Sequence, residues 1–218
     1  MKLHIFDFDG TLANTPENTL ENQKKFEKHF GVPWLVDKEL SRKLTAKLRR
    51  PVPIRRGWWG REESLMPPLV PDPVDMDFFN SKVVEDFLRS KNDENCLTLI
   101  LTGRHQKLKH HVLRILNDVN LIDVTRHKIT NSLFCHPVDE KVFCYCLGDN
   151  GPALDAVGEK PSETFPWKVW IIKQYLHLNP DFELIEIWED RAEHVENFES
   201  FGRSIPNKLI VHHVRKGK

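Results

Sequence analysis

The chain has no surplus of charge: 32 Lys and Arg balance 32 Asp and Glu. Global charge therefore points to neither a nucleic-acid nor a membrane partner, and only local clustering is left to do so. It also lacks any apolar run approaching the ~18 residues of a membrane span. The N-terminus leads straight into a strand-like run, so neither a span nor a signal peptide is expected. Cysteine is scarce, and Cys96, Cys135, Cys144 and Cys146 are spaced to fit no standard zinc framework. His136 beside Cys135 is the one hint of a zinc site, and free core thiols in a reducing compartment explain the four more simply. There is no low-complexity tract and no GxxxxGK[ST] phosphate loop. These absences favour an intracellular protein, cytoplasmic or nuclear, that is not secreted and has no membrane association. At 218 residues and 39% hydrophobic, the chain can build one sizeable core plus an inserted or appended subdomain.

What is present begins with the run HIFDFDGTL at residues 4–12. Leu3, Ile5, Phe6 and Phe8 are strand formers, and Gly10 breaks the run. On a strand continued to Asp9, Asp7 and Asp9 share one face about 6–7 Å apart. Two carboxylates so placed repel one another unless a cation sits with them.

Further along, Thr15-Pro16 reads as a helix start, with Leu20, Phe26 and Phe30 on the buried stripe and Gly31 as the stop. Asp37 caps a second expected helix carrying Leu40, Leu44 and Leu48. Residues 50–80 hold Pro51, Pro53, Pro67, Pro68, Pro71 and Pro73 and should be mostly irregular. Asn80 or Ser81 opens a helix through Val84, Phe87 and Leu88. A strand Leu97–Leu101 then ends at Thr102-Gly103-Arg104, and a helix carries Leu108, Val112, Ile115 and Leu116. Strand-like pieces stand near 121–130 and 142–147. Thr164 caps a helix with Pro166 at its first position, followed by a strand Leu184–Trp188 that ends at Glu189-Asp190-Arg191. A helix with Val195, Phe198 and Phe201 leads to a final strand, Leu209–Val211. Alternating strands and helices predict an α/β fold with a mainly parallel sheet and right-handed crossovers. Ligands of such sheets bind at the carboxyl ends of the strands, where the polar groups collect.

DFDGTL, LTGR, the lysine of TFPWK and WEDR, in that order, resemble the haloacid dehalogenase (HAD) superfamily of phosphohydrolases. NTPEN at 14–18, GWWGREESL at 57–65, TFPWK at 164–168 and EDRAEHVENF at 189–198 are similar to the HAD domain of Swiss Army Knife RNA repair-like proteins. The resemblance implies a Rossmannoid parallel sheet sandwiched by helices, with residues 1–13 and 81–218 as catalytic core and 14–80 as a cap or lid inserted between strands one and two. It also implies a Mg²⁺-dependent phosphomonoesterase that works through an aspartyl-phosphate, with the 3′ or 2′ phosphates of RNA ends as the implied target. Asp7 becomes the nucleophile and Asp9 the acid and then the base, with backbone amides from Phe8 to Thr11 facing the phosphate. Gly10, Thr11, Thr102, Gly103 and Arg104 hold the phosphate, and Lys168 offsets charge on it and on Asp7. Asp7, Asp9, Asp190 and Glu189 make the metal site, with Mg²⁺ the natural ion for hard oxygen donors.

Each motif alone has a plainer reading: a turn, a cap, a solvated lysine, an acidic helix start. Gly148-Asp149, with Asp155 further on, also resembles the superfamily's second metal motif; with it the lysine would come from Lys128 or Lys141, and Asp190 would be structural. The segment from Arg42 to Arg61 has eight basic residues and no acidic one. With Trp58 and Trp59 inside it, that segment suits a single-stranded RNA end, although the tryptophans suit loop packing equally. Other readings remain open: a phosphatase of a small phosphorylated metabolite or nucleotide, a non-catalytic module that binds phosphorylated ends, or a phosphotransferase.

Overall fold

In the computed structural model the described residues are 1–31, 42–43, 46–47, 49, 58–124 and 142–215. The chain forms two compact units, Met1–Asn14 with Asp75–Lys218, and Thr15–Val74. The larger is built on five parallel strands: β1 (Lys2–Phe6), β2 (Cys96–His105), β3 (Val142–Leu147), β4 (Leu184–Glu189) and β5 (Lys208–His213). The helices are α1 (Leu20–Phe30) in the smaller unit, and α2 (Ser81–Asn92), α3 (Lys109–Asp118), α4 (Thr164–Leu178) and α5 (Ala192–Gly202) in the larger. This is the α/β parallel architecture that the strand and helix pattern predicts, and the Rossmannoid one that the resemblance implies.

Strand order is β3-β2-β1-β4-β5. The chain winds outward from β1 in one direction and then resumes on its other side, so β1 and β4 flank the point where the winding reverses. At such a point the connecting loops diverge and leave a crevice at the carboxyl ends of the strands. Leu3 and Ile5 of β1 face a core shared with Ile185 and Ile187 of β4, Trp167 and Ile171 of α4, and Phe198 of α5. Phe6 faces the other way, with its ring 5.3 Å from that of Phe87 on α2.

Several boundaries differ from the sequence reading. β1 stops at Phe6, so Asp7 and Asp9 stand on a loop and the two-residue strand spacing does not apply to them. α1 begins at Leu20, four residues past the expected start, because Thr19 is the side chain that accepts from an early helical amide, Asn22 N at 3.2 Å. α4 begins at Thr164 itself after Glu163, which places Pro166 in the first turn, where a missing N–H leaves no bond unmade. Of the strand expected near 121–130, residues 121–124 are not strand and 125–130 lie outside the described residues. Cys135 and most of the helix expected after Asp37 also lie outside them.

In the smaller unit, Trp58 is fully buried against Phe26 of α1, and its indole donates to Pro16 O at 2.7 Å. The Arg61 guanidinium stands 4.8 Å over the Phe26 ring and pairs with Glu63 at 2.9 Å. Both residues therefore serve packing within the unit. Arg42, Lys43, Lys47 and Arg49 are exposed, and Arg50, Arg55 and Arg56 lie outside the described residues.

Candidate active site

Asp7 is the first residue beyond β1, and its amide donates to Trp188 O of β4 at 3.0 Å. This bond fixes where the chain leaves the sheet. The loop then folds back on itself: Gly10 takes φ 75° and donates to Ala13 O at 2.8 Å, while the Leu12 and Ala13 amides return to Asp7 O and Phe8 O. Only glycine adopts that φ without a steric cost. Of the amides expected to face a phosphate, Gly10's is thus already engaged. Thr11 is fully buried, and its hydroxyl has no hydrogen-bond partner among the described residues.

Lys168, in the second turn of α4, is buried and links the ends of β1 and β4. Its ammonium lies 2.8 Å from both Asp7 Oδ1 and Glu189 Oε2. Glu189 Oε1 accepts from the Arg191 amide at 3.3 Å, and His194 Nδ1 lies 3.3 Å from Oε2. Burial pushes the Asp7 carboxyl up to about 8; Lys168 opposes the rise, and Glu189 and Asp9 add to it. Burial acts on Glu189 too, but Lys168 and His194 outweigh it and hold that carboxyl down at about 2. Burial likewise works against the Lys168 charge, and the two carboxylates outweigh it and raise its pKa. The lysine and Glu189 form the ion pair, and Asp7 is the carboxyl whose charged form burial disfavours.

Asp9 belongs to a separate network. Arg104, with no exposed surface, brings Nε to 3.0 and 3.1 Å from the two Asp9 oxygens and Nη2 to 2.8 Å from Oδ1. The Thr102 hydroxyl donates to Asp9 Oδ2 at 3.2 Å and accepts from the Arg104 amide at 3.1 Å. Arg104, which the sequence assigns to the phosphate, is thus turned onto the second aspartate. At Gly103 a Cβ would come within 2.9 Å of Thr164 Cγ2, so a glycine is what lets β2 approach the start of α4.

Asp7, Glu189 and Asp190 each offer a carboxylate oxygen within 4.8 Å of the others. Hard oxygen donors gathered around a carboxylate that burial disfavours fit a divalent cation such as Mg²⁺. Asp149 is elsewhere, past the edge strand β3. Its Oδ2 accepts from Cys146 N at 2.8 Å and pairs with Lys109 at 3.0 Å, so it closes the turn after β3. Lys128 and Lys141 lie outside the described residues. Among the described cysteines, Cys96, Cys144 and Cys146 are free and buried.

Residues 33–216 match HAD domain family 1 in Swiss Army Knife RNA repair proteins. The chain belongs to this family. The matched stretch includes Thr102 to Arg104, Lys168, Glu189 and Asp190 of the candidate site and begins after Asp7 and Asp9, which enter on the geometry above. An uncharacterized protein of Saccharomyces cerevisiae is 23% identical over 206 residues; the match takes in 94% of this chain and 37% of that protein's length. No solved structure matches. Membership suggests a hydrolase of the phosphatase type, a class that generally uses a divalent metal. Among the described residues no helix is long and apolar enough to cross a membrane.

The roles of Glu189 toward Lys168 and of Arg104 toward Asp9 were not read from the sequence. His194, five residues after Glu189 at the start of α5, was the available signal for the first. Nothing local signals the second, which joins residues 95 apart.

Proposed function

We propose that the chain is a divalent-metal-dependent phosphomonoesterase that works through an aspartyl-phosphate and acts on phosphorylated RNA ends. The observation that carries this reading is Asp7, buried at the end of β1 with Lys168 on one oxygen and Asp190 beside it. In the first step an Asp7 oxygen attacks phosphorus, the bond to the ester oxygen breaks, and that oxygen leaves as an alcohol carrying a proton from Asp9. In the second, Asp9 takes a proton from water, whose oxygen attacks the same phosphorus, and inorganic phosphate leaves Asp7. Lys168 neutralises charge on the phosphoryl oxygens, and the Arg104 pairing keeps Asp9 aimed and ready as the carboxylate that the second step needs. Asp7, Asp190 and the Asp9 carbonyl would hold the metal, with Glu189 supplying field and anchoring Lys168. When bound, the ion supplies charge neutralisation at the phosphate. Residues 14–80 would serve as the lid.

The RNA half of this reading rests on the family's name and on exposed Arg42, Lys43, Lys47 and Arg49. Trp58 and Arg61, engaged in packing, favour the alternative of a small phosphorylated metabolite. Phosphate release from a 3′-phosphorylated RNA oligonucleotide, a mononucleotide and an aryl phosphate separates them. The expected result is Mg²⁺-dependent turnover lost in EDTA, with kcat/KM for the oligonucleotide about 100-fold above the others. Equal feeble rates would transfer the site to small substrates. No turnover on any would remove the enzyme reading.

The metal assignment has its own check. Mg²⁺ at about 100 times its Kd should stabilise the fold by about 2.7 kcal/mol, read as a rise in Tm of several degrees. Asp190→Ala is expected to lose that rise. Asp149→Ala is expected to keep it while losing about 1–3 kcal/mol of stability, because its two partners are left unmet. The reverse pattern would assign the metal to Asp149.

A further inference from the structure

Outside the candidate active site, the larger unit carries a cavity of about 440 Å³ between the start of α2 and the ends of β4 and β5. Trp188 and His212 line it and end a ladder of rings that begins at buried Phe6. Phe6, Trp188 and His212 stand opposite one another in register on β1, β4 and β5. Trp188 stacks on Phe6 at 4.3 Å and 12°, and His212 on Trp188 at 4.4 Å and 19°. β5 is the edge strand, so the ladder ends at His212, whose side chain keeps 39% of its surface exposed. The helix that packs on β4 and β5, α5, lies on the opposite face with Ile187 and Val211.

The lining carries two lysine or arginine side chains and one acid, Asp86. Lys82 and Arg215 line the cavity, are exposed, and have no ion pair among the described residues. The acids nearby are occupied: Asp86 accepts from the Trp188 indole at 3.2 Å and pairs with Arg89 at 3.0 Å, and Glu186 holds His212 at 2.8 Å. An open-ended ring stack with two uncommitted cations suits a planar base joined to a phosphate. Two residues of its wall are bonded to the active-site loops. The amide of Asn80, which lines it, donates to Leu12 O at 2.9 Å, and His213 Nε2 lies 3.2 Å from Asp190 O.

We infer that this groove is a nucleotide subsite for single-stranded polynucleotide, stacking a base on His212 and pairing a backbone phosphate with Lys82 and Arg215, while the strand's terminal phosphate reaches Asp7. The inference rests on the phosphatase reading for that last contact and on the groove alone for binding. It adds a substrate surface distinct from the 42–61 segment.

The test is the affinity of a labelled single-stranded RNA oligonucleotide with a 3′-hydroxyl end, which needs no turnover, set beside aryl phosphate kinetics. Lys82→Ala/Arg215→Ala should weaken binding about tenfold or more and lower the salt slope by about 0.7, the share of one neutralised phosphate. His212→Ala should weaken binding roughly tenfold, and His212→Phe, which keeps a ring, should restore it. Aryl phosphate kcat/KM should stay at the wild-type level in all three. Wild-type protein that binds no oligonucleotide overturns the inference, and so does unchanged affinity in the double variant, even with phosphatase activity intact. Binding that is lost in the variants, in a protein with no phosphatase activity on any substrate, removes the enzyme reading and upholds the groove.

Discussion

Asp7→Asn is expected to reduce phosphate release by on the order of 10⁴-fold or more and to leave the protein at least as stable as the wild type. The two effects share one cause. Asp7 is buried, and burial together with Glu189 and Asp9 pushes its carboxyl up to about 8 against the pull of Lys168. An amide of the same shape still accepts from Lys168 at the oxygen now 2.8 Å away. It carries no charge to bury, so the desolvation that disfavours the aspartate is gone. It also has no anionic oxygen to attack phosphorus, and covalent catalysis stops. Stability traded against activity is the mark of a group kept for chemistry. Thermal unfolding in EDTA and single-turnover phosphate release read the two halves separately. Turnover within tenfold of wild type would place the nucleophile elsewhere. Retained inactivity with a large fall in Tm would mean that the Asp7–Lys168 charge pair holds the fold together.

Which features were legible in the sequence follows from the range of the interactions involved. The strands Leu97–Leu101, 142–147 and Leu184–Trp188 stand out as apolar runs closed by polar residues, and each lies within or along an observed strand. Their parallel order follows from the helices between them. The helix starts at Thr19 and Glu163 were misplaced because Thr15-Pro16 and Thr164 imitate the local chemistry of a cap, and which candidate caps is decided by geometry several residues on. Asp149 imitates a metal ligand in sequence, but its role is set by Lys109, 40 residues away. The Phe6–Trp188–His212 ladder is set by strand order, which no single stretch of sequence carries. Residue types at the strand ends could be read, but their pairings required the fold.

Arg104 is the strongest case of such a pairing, and Arg104→Met is expected to damage both the fold and the chemistry. The guanidinium is wholly buried and covers both Asp9 oxygens. Methionine fills much of the same volume but removes the charge that faces buried Asp9, while the Thr102 hydroxyl stays at 3.2 Å. Breaking a buried ion pair from one side costs about 3–5 kcal/mol, read as a Tm lower by roughly 6–20 °C for a chain of this size. Without the guanidinium Asp9 loses its aim and stops serving in turn as acid and base, a loss of about 10²–10⁴-fold in kcat. Arg104→Lys keeps the charge without the two-pronged geometry and should recover stability more than turnover, since aim depends on the fork. Removing both partners in Asp9→Asn/Arg104→Met should be milder for the fold than Arg104→Met alone, because no charge is left unpaired, while turnover stays lost. A double variant less stable than the single would mean that Arg104 acts through packing. An Arg104→Met protein with wild-type kcat would mean that Asp9 needs no positioning, and the guanidinium would return to its first assignment on the phosphate, visible as a raised KM.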